Sequence, residues 1–225
     1  MNVATGPKGF GLKKSAAGFI LLGPVGLLGG LVGRKKIEFA CLDCGRRWAP
    51  RSKDYEKPRE ELSGKDIIAI IEKHKDWLSD ESKGECANLS KVDLSIVDLK
   101  GYDLSGADLS EANLFKVNLS GAKLVGAKLV GAKLEGAVLE SADLSKADLS
   151  ASNMIRTTCY EASFESAKMS KAVIWGAQLQ GTNFKDAILE DVNFRGSNIT
   201  GANFEGACLD GADFFNCKGK SSAKF

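Results

Sequence analysis

The sequence predicts an all-β solenoid assembled from five-residue units, on three observations. From Leu89 to Phe214 every fifth position is Leu, Met, Ile or Phe, with the single exception of Cys159, through 26 consecutive units without an insertion or a lost phase. Two residues before each of these positions sits Ala, Ser or Thr in nearly every unit. And a period of five belongs neither to an amphipathic helix nor to a flat strand. A strict short period over such a length marks a repeat architecture. A strand-and-turn unit, repeated on a chain that closes back on itself, turns the same two positions inward each time. The small residue fits a crowded corner and the large one fills the axis. The small position is broken only by Val92, Val97, Val117, Val192 and Tyr102. Tyr102 is too large for such a slot and is expected to distort its own coil.

Written around the central apolar residue, the units read Ala87-Asn88-Leu89, Ala107-Asp108-Leu109, Ala142-Asp143-Leu144, Ala202-Asn203-Phe204 and Ala212-Asp213-Phe214. This A(D/N)LxX pattern resembles the pentapeptide-repeat family over 130 of the 225 residues. The resemblance implies a right-handed quadrilateral β-helix, four units to a square coil of twenty residues, so that 26 units give 6.5 coils. At the strand-pairing distance of about 4.8 Å per coil, the rod would be roughly 31 Å long.

Residues twenty apart would then stack. Leu89, Leu109, Leu129 and Leu149 fall in one inward column, Phe164, Phe184 and Phe204 in a second, and Phe194 and Phe214 in a third on the facing wall. Buried ring stacking adds apolar area and edge contacts. Outward, Asp103, Lys123 and Asp143 share a column, as do Asp108, Lys128, Asp148 and Lys168. Such exposed pairs contribute about 0–1 kcal/mol each and serve solubility and register.

A solenoid's first coil exposes its axis, so a terminal element must cover it. Ser63 followed by Asp66 three residues on is an N-cap signature. Ile67, Ile68, Ile70, Ile71, His74, Trp77 and Leu78 follow at helical spacing. The stretch is similar to the short helix that precedes the repeats in the family. Ile67, Ile70, Ile71, Trp77 and Leu78 are the expected lid, with His74 a packed or surface residue rather than a ligand. No second lid is evident after Phe214. The last coil must be covered by the tail or by another molecule, and end-to-end pairing of two chains is expected, because unpaired strand edges invite association.

The domain boundaries follow: 1–53, a basic head; 54–85, a charged Pro-containing linker and the capping helix (63–79); 86–217, the repeat; 218–225, a basic tail. The head carries ten Lys and Arg against two Asp and Glu, the segment 87–216 twelve against seventeen. A basic head therefore precedes a mildly acidic rod, which suggests an anionic partner for the head.

Within the head, residues 16–33 are uncharged, rich in Gly, and flanked by Lys13-Lys14 and Arg34-Lys35-Lys36. A helix of this length would reach about 27 Å, just short of a bilayer core of about 30 Å. Six Gly and Pro24 weaken a continuous helix, and the flanking charges fit a hairpin bent at Gly23-Pro24. The first reading is a membrane-inserted or re-entrant anchor. A Gly-rich helical pair packed within an oligomer is the second; a cleaved signal peptide or a disordered stretch are the others. Next comes Cys41-x-x-Cys44-Gly45, which looks like a zinc knuckle. One pair is half a site, so Cys41 and Cys44 would need a second pair, as from zinc shared between two chains. A relic knuckle without metal is the alternative.

Six Cys in this arrangement do not form a secreted disulfide framework, and a reducing cytoplasm, with or without membrane association, is the economical reading. A single His and the absence of a phosphate loop or a nucleophile–base pair argue against an enzyme. The function expected is a structural or protein-interaction scaffold tethered through its head to a membrane or an assembly. The alternative is drawn from family members that bind DNA gyrase by imitating duplex DNA and so protect it from quinolones. Duplex DNA carries dense charge of one sign, whereas Lys123, Lys128, Lys133, Lys146, Lys168 and Lys171 are scattered among this rod's acids. Direct nucleic-acid binding by the head is disfavoured, since few aromatics are interleaved with its charges.

Overall fold

The computed structural model describes residues 62–225 and, before them, four two-residue strands: β1 (Lys13–Lys14), β2 (Ile20–Leu21), β3 (Phe39–Ala40) and β4 (Arg47–Trp48). β1 pairs with β2 and β3 with β4, both antiparallel. The chain divides into two units, Met1–Glu56 and Lys57–Phe225. Apart from β2, the apolar run 16–33 lies outside the described residues, as do Cys41 and Cys44.

The second unit opens with α1 (Gly64–Ser79). Ser63 caps it reciprocally: Asp66 N–H donates to Ser63 Oγ at 3.3 Å, and Ser63 N–H donates to Asp66 Oδ2 at 2.9 Å. These bonds satisfy two N–H groups that a helix start leaves orphaned.

Thereafter the chain is a β-helix. Parallel bridges join residues twenty apart, from Asn88 with Asp108 through to Asn198 with Lys218. The five-residue unit is explained by where its five N–H groups go, because a buried backbone donor must be paired. Around Leu109, Asp108 N–H donates to Ala87 O in the preceding coil at 2.9 Å. Leu109 and Glu111 donate to Lys128 O and Val130 O in the following coil at 2.7 and 2.8 Å. Ala112 N–H closes the turn onto Leu109 O at 3.1 Å. The fifth donor, Ser110 N–H, goes to the side chain of Asp108 at 3.0 Å. That last bond is why Asp or Asn precedes the central residue so often: its carboxylate or amide oxygen fixes the corner as an Asx-turn. The residue two after the centre, Glu111 at φ 57°, takes the left-handed region that such a turn requires.

Inside, the axis is filled with apolar side chains. Leu89, Leu109, Leu129 and Leu149 are fully buried. Phe184 stacks between Phe164 and Phe204, with centroids at 5.2 and 5.0 Å, and Phe194 stacks on Phe214 at 4.8 Å. The two ring columns meet edge to face across the axis, Phe184 with Phe194 at 5.8 Å and Phe194 with Phe204 at 5.7 Å.

The two rims of the stack bear on three expectations, of which Leu78's place in the lid is corrected. Tyr102 keeps its turn and its bridge: its N–H reaches Leu99 O at 3.2 Å, and its carbonyl accepts from Lys123 at 2.9 Å. Its slot lies at the rim next to α1, where it lines a cavity of about 290 Å³ with Ile71, Glu72 and Lys75, so there is room for the ring. The irregularity of its coil falls four residues before it, at Asp98, which has no bridge to Asn118. Leu78 is not part of the lid; it is 37% exposed, in the last turn of α1, beyond the point where His74 and Trp77 meet the rim. Ile67 and Ile71 are buried, with Ile70 half-buried against the same core.

At the other rim the last coil is covered by residues 218–225, the first of the two covers expected for it. They wind on as part of the stack, with Lys218 bridging Asn198 and Lys224 bridging Asn203. The second step spans 21 residues instead of twenty, the single slip of phase in the ladder. It brings Phe225 under Phe204 at 5.2 Å and edge-on to Phe214 at 5.7 Å. The slip passes through Gly219, at φ 78°, where a Cβ would lie 2.5 Å from Thr200 Cα; any larger residue would push the last turn off the stack.

Candidate functional site

The first place with chemistry of its own is the cap. His74 is fully buried, stacked on Trp77 at 5.4 Å, and its Nδ1 accepts from Ala87 N–H at 3.1 Å. In later units the equivalent N–H is satisfied by the preceding turn's carbonyl, as in Ala112 with Leu109, with Ala177 donating to Ser197 Oγ at 3.0 Å instead. The first unit has no such carbonyl in place, and the imidazole supplies the acceptor. Burial pushes the His74 pKa below its ordinary value, against the opposing pull of the Asp103 charge. The neutral ring, with Nδ1 unprotonated, is the form that fits. Gly84 lets the chain pass α1 closely; a Cβ there would meet Trp77 N at 2.5 Å. His74 is thus a structural residue of the lid.

The second is the thiols. Cys159 fills a central position and is fully buried, and burial pushes its thiol up to about 12. It behaves as a small apolar residue rather than a nucleophile. Cys86, Cys208 and Cys217 sit at or near the surface and are free. Cys217 Sγ donates to Phe194 O at 2.9 Å. No group of three or more metal-ligating side chains is gathered among the described residues.

The third is the outer surface. In the charged columns, Lys123 pairs with Asp103 at 3.8 Å across one coil step. The shortest pair is on another wall, where Arg195 Nε donates to Asp213 Oδ2 at 2.6 Å. The Phe215 N–H, and then Arg195, hold the Asp213 carboxyl below its usual value. Exposed aromatic and aliphatic side chains are unevenly spread. Phe115, Trp175 and Phe215 all occupy the position after the centre on a single corner, and each carries a cation over its ring: Lys116 at 5.0 Å, Arg156 at 5.3 Å and Arg195 at 5.6 Å. Sequence reasoning passed over this corner. The signal was present, since the three rings are separated by multiples of twenty, and laying the sequence out at that period aligns them.

The family model described as pentapeptide repeats (8 copies) matches residues 93–131, 118–154, 149–186 and 177–214. The chain is a pentapeptide-repeat protein. Solved pentapeptide-repeat structures to which it is similar include HetL, involved in heterocyst differentiation regulation in the cyanobacterium Nostoc sp. strain PCC 7120. There the identity is 22% over 73% of this chain and 95% of that one, with a TM-score of 0.30. A thylakoid-lumen pentapeptide-repeat protein of Arabidopsis thaliana matches at 34% identity over 49% of this chain and 70% of that one, TM-score 0.25. QnrB1, a plasmid-mediated fluoroquinolone resistance protein, matches at 18% over 58% and 80%, TM-score 0.31. No curated protein shows significant similarity to the chain. Among the described residues no helix of this pentapeptide-repeat protein is long and apolar enough to cross a membrane.

Proposed function

We propose that the protein is a non-enzymatic scaffold whose rod of about six and a half square, right-handed coils presents its outer walls and corners to a protein partner, while the basic head tethers it. One observation carries this reading. Each unit spends its inward side chains on packing and its backbone on the ladder, so outward side chains alone remain free to act. The potential nucleophile inside, Cys159, is held as the thiol.

Photo-crosslinking residues placed at outward positions of the full chain, wall by wall, test it. Crosslinks to one partner from a contiguous set of positions are expected. Crosslinks spread evenly over all walls, or catalytic turnover lost on a single outward substitution, would overturn the scaffold. The tether is tested by floating the full chain with anionic vesicles: co-flotation that high salt weakens is expected from the excess of basic residues in 1–53, and a chain that stays at the bottom removes the membrane arm. Association of two copies through the C-terminal end is part of the same proposal. Phe225 is 61% exposed there, with Leu209 and Phe214 half-buried beside it. A dimeric mass that becomes monomeric on deletion of Phe225 is expected in ultracentrifugation; a monomer at high concentration rejects it.

A duplex-DNA imitation is not adopted. The outward columns alternate in sign, as at Asp103 and Lys123, where a duplex would show one sign throughout.

A further inference from the structure

Five non-polar side chains lie along one corner of the rod: Ile96, Phe115, Ile155, Trp175 and Phe215. Ile96 and Phe215 are 63% and 61% exposed, Phe115 and Trp175 each 42%. The remaining large exposed apolar residues of the repeat, Val130, Tyr160 and Ile188, are scattered over other columns. The fold does not ask for these rings. At the position after the centre it uses only backbone groups: the carbonyl, as Trp175 and Phe215 accept from Arg156 and Gly196 at 2.9 Å each, and the N–H, which Phe115 and Phe215 donate to Asn113 and Asp213 at 3.3 and 2.8 Å. Elsewhere that position is commonly Ser, as at Ser110 and Ser150. A Trp and two Phe exposed where Ser would serve are a surface kept for contact.

The corner is also shaped and charged. Gly136, Gly176 and Gly196, one residue further along each unit, form a low floor: the Lys116 and Arg156 stems and the Trp175 indole lie over them, and a Cβ at Gly136 would stand 3.2 Å from Lys116 Cγ. In its middle, between residues 113 and 178, the corner and its two flanking walls carry Lys116, Lys133 and Arg156 against Glu135. Toward its ends Asp93, Asp98 and Asp213 bring acid, and Asp213 pairs with Arg195, so the basic stretch is the part that holds Phe115, Ile155 and Trp175. The walls beside it are amides. Asn153, Asn193 and Asn198 each accept a turn N–H on Oδ1. This orientation turns their amide N–H groups outward as donors.

We infer that this aromatic–basic corner is the docking surface for an extended acidic polypeptide segment bearing apolar side chains. The inference deepens the scaffold reading and rests on it. Carboxylates of the segment would meet Lys116 and Arg156, its carbonyls the amide donors, and its apolar side chains Trp175, Ile155 and Phe115. Apolar anchors centred among charge-complementary groups carry most of the energy in such contacts. A single-stranded nucleic acid fits less well. Its bases would need the flat ring faces on which the rod's own cations already sit, whereas aliphatic side chains can pack on Ile155 and against the ring edges.

The test uses the full chain and fluorescence anisotropy with a short labelled peptide alternating Glu and Leu. Controls are the same peptide with Lys in place of Glu, and a thymidine oligomer. The double variant Arg156→Ser, Trp175→Ser is compared with an off-corner pair, Val130→Ser, Tyr160→Ser; far-ultraviolet dichroism and melting establish that each is folded. Binding of the Glu-Leu peptide alone is expected, weakened at least about tenfold in the corner variant, ~1.4 kcal/mol, and unchanged in the off-corner variant. Equal weakening in both, no binding at about millimolar peptide, or preference for the thymidine oligomer overturns the inference. A partner still crosslinked to other walls of the corner variant would sink this inference and leave the scaffold standing. Absence of crosslinks from every wall would sink the scaffold itself.

Discussion

Replacing Phe184 by Ala tests whether the dry, stacked axis holds the rod together. Phe184 is fully buried and touches three rings, Phe164 and Phe204 above and below and Phe194 across the axis. Removing a buried Phe side chain costs about 3–5 kcal/mol through lost transfer energy and the cavity left behind. The site has little freedom to collapse, because the ladder fixes neighbouring coils at the strand-pairing distance, so the upper half of that range is expected. Leu is the stringent comparison. The same column holds Leu104, Leu124 and Leu144 in earlier coils, all fully buried. Phe184→Leu should therefore keep the coil geometry and lose mainly part of the ring's volume and its edge contacts, about 1–2 kcal/mol. Urea titration followed by far-ultraviolet dichroism reads both. For a unit of this size a loss of about 4 kcal/mol lowers the melting temperature by roughly 8–16 °C. An Ala variant losing less than about 1 kcal/mol, or a Leu variant as damaged as Ala, would refute a close-packed axis.

Three further outcomes are expected. His74 has its pKa lowered by burial, so the fold favours the neutral ring; stability is full above the unfolded value of 6.5 and falls as pH drops below it. Melting curves from pH 7.5 to 4.5 should show a loss that His74→Gln removes; an identical slope in the two proteins would reject the role of His74. Ala151 sits in the left-handed region at φ 56° with an exposed side chain. Ala151→Gly should raise stability by roughly 0.5–1 kcal/mol as relief of backbone strain exceeds the added chain entropy, and a clear loss would count against that turn geometry. Finally, a thiol reagent at mild alkaline pH should label Cys86 in the native protein but reach Cys159 only on unfolding, since burial holds that thiol up to about 12; native labelling of Cys159 would contradict its place on the axis.

The five-residue period carried the solenoid, the inward residues and the stacked Phe columns, because each of these follows from one spacing rule that the sequence keeps for 26 units. The helix was legible from Ser63, Asp66 and the Ile pattern. What escaped was of two kinds. The last turn was hidden by a slip of phase: Ala223-Lys224-Phe225 has the small-x-large form of a repeat, but Phe225 lies 21 residues after Phe204, so a strict comb misses it. Leu78 escaped because helical phase is a local quantity, whereas its surroundings are set by where the rod's rim ends. The Asx bond from the residue before the centre to the turn N–H explains a preference for Asp and Asn that the period alone left without a cause.

That bond also explains how one fold serves a surface that varies. At the corner, the structural duty of the residue after the centre is met by its backbone alone: the carbonyl accepts from the preceding coil, and the N–H, which every non-proline residue carries, finds its partner in the side chain two residues earlier. Ser, Phe, Ile, Arg and Glu can therefore stand there with the ladder intact, as they do at Ser110, Phe115, Ile155, Arg195 and Glu205. The inward positions have no such freedom, since each side chain must fill a volume fixed by the coils on either side. A solenoid of this kind separates stability from recognition by position within the unit. On the docking proposed above, recognition at the corners would add along the rod in steps of one coil, and a segment lying across several coils would read the sum.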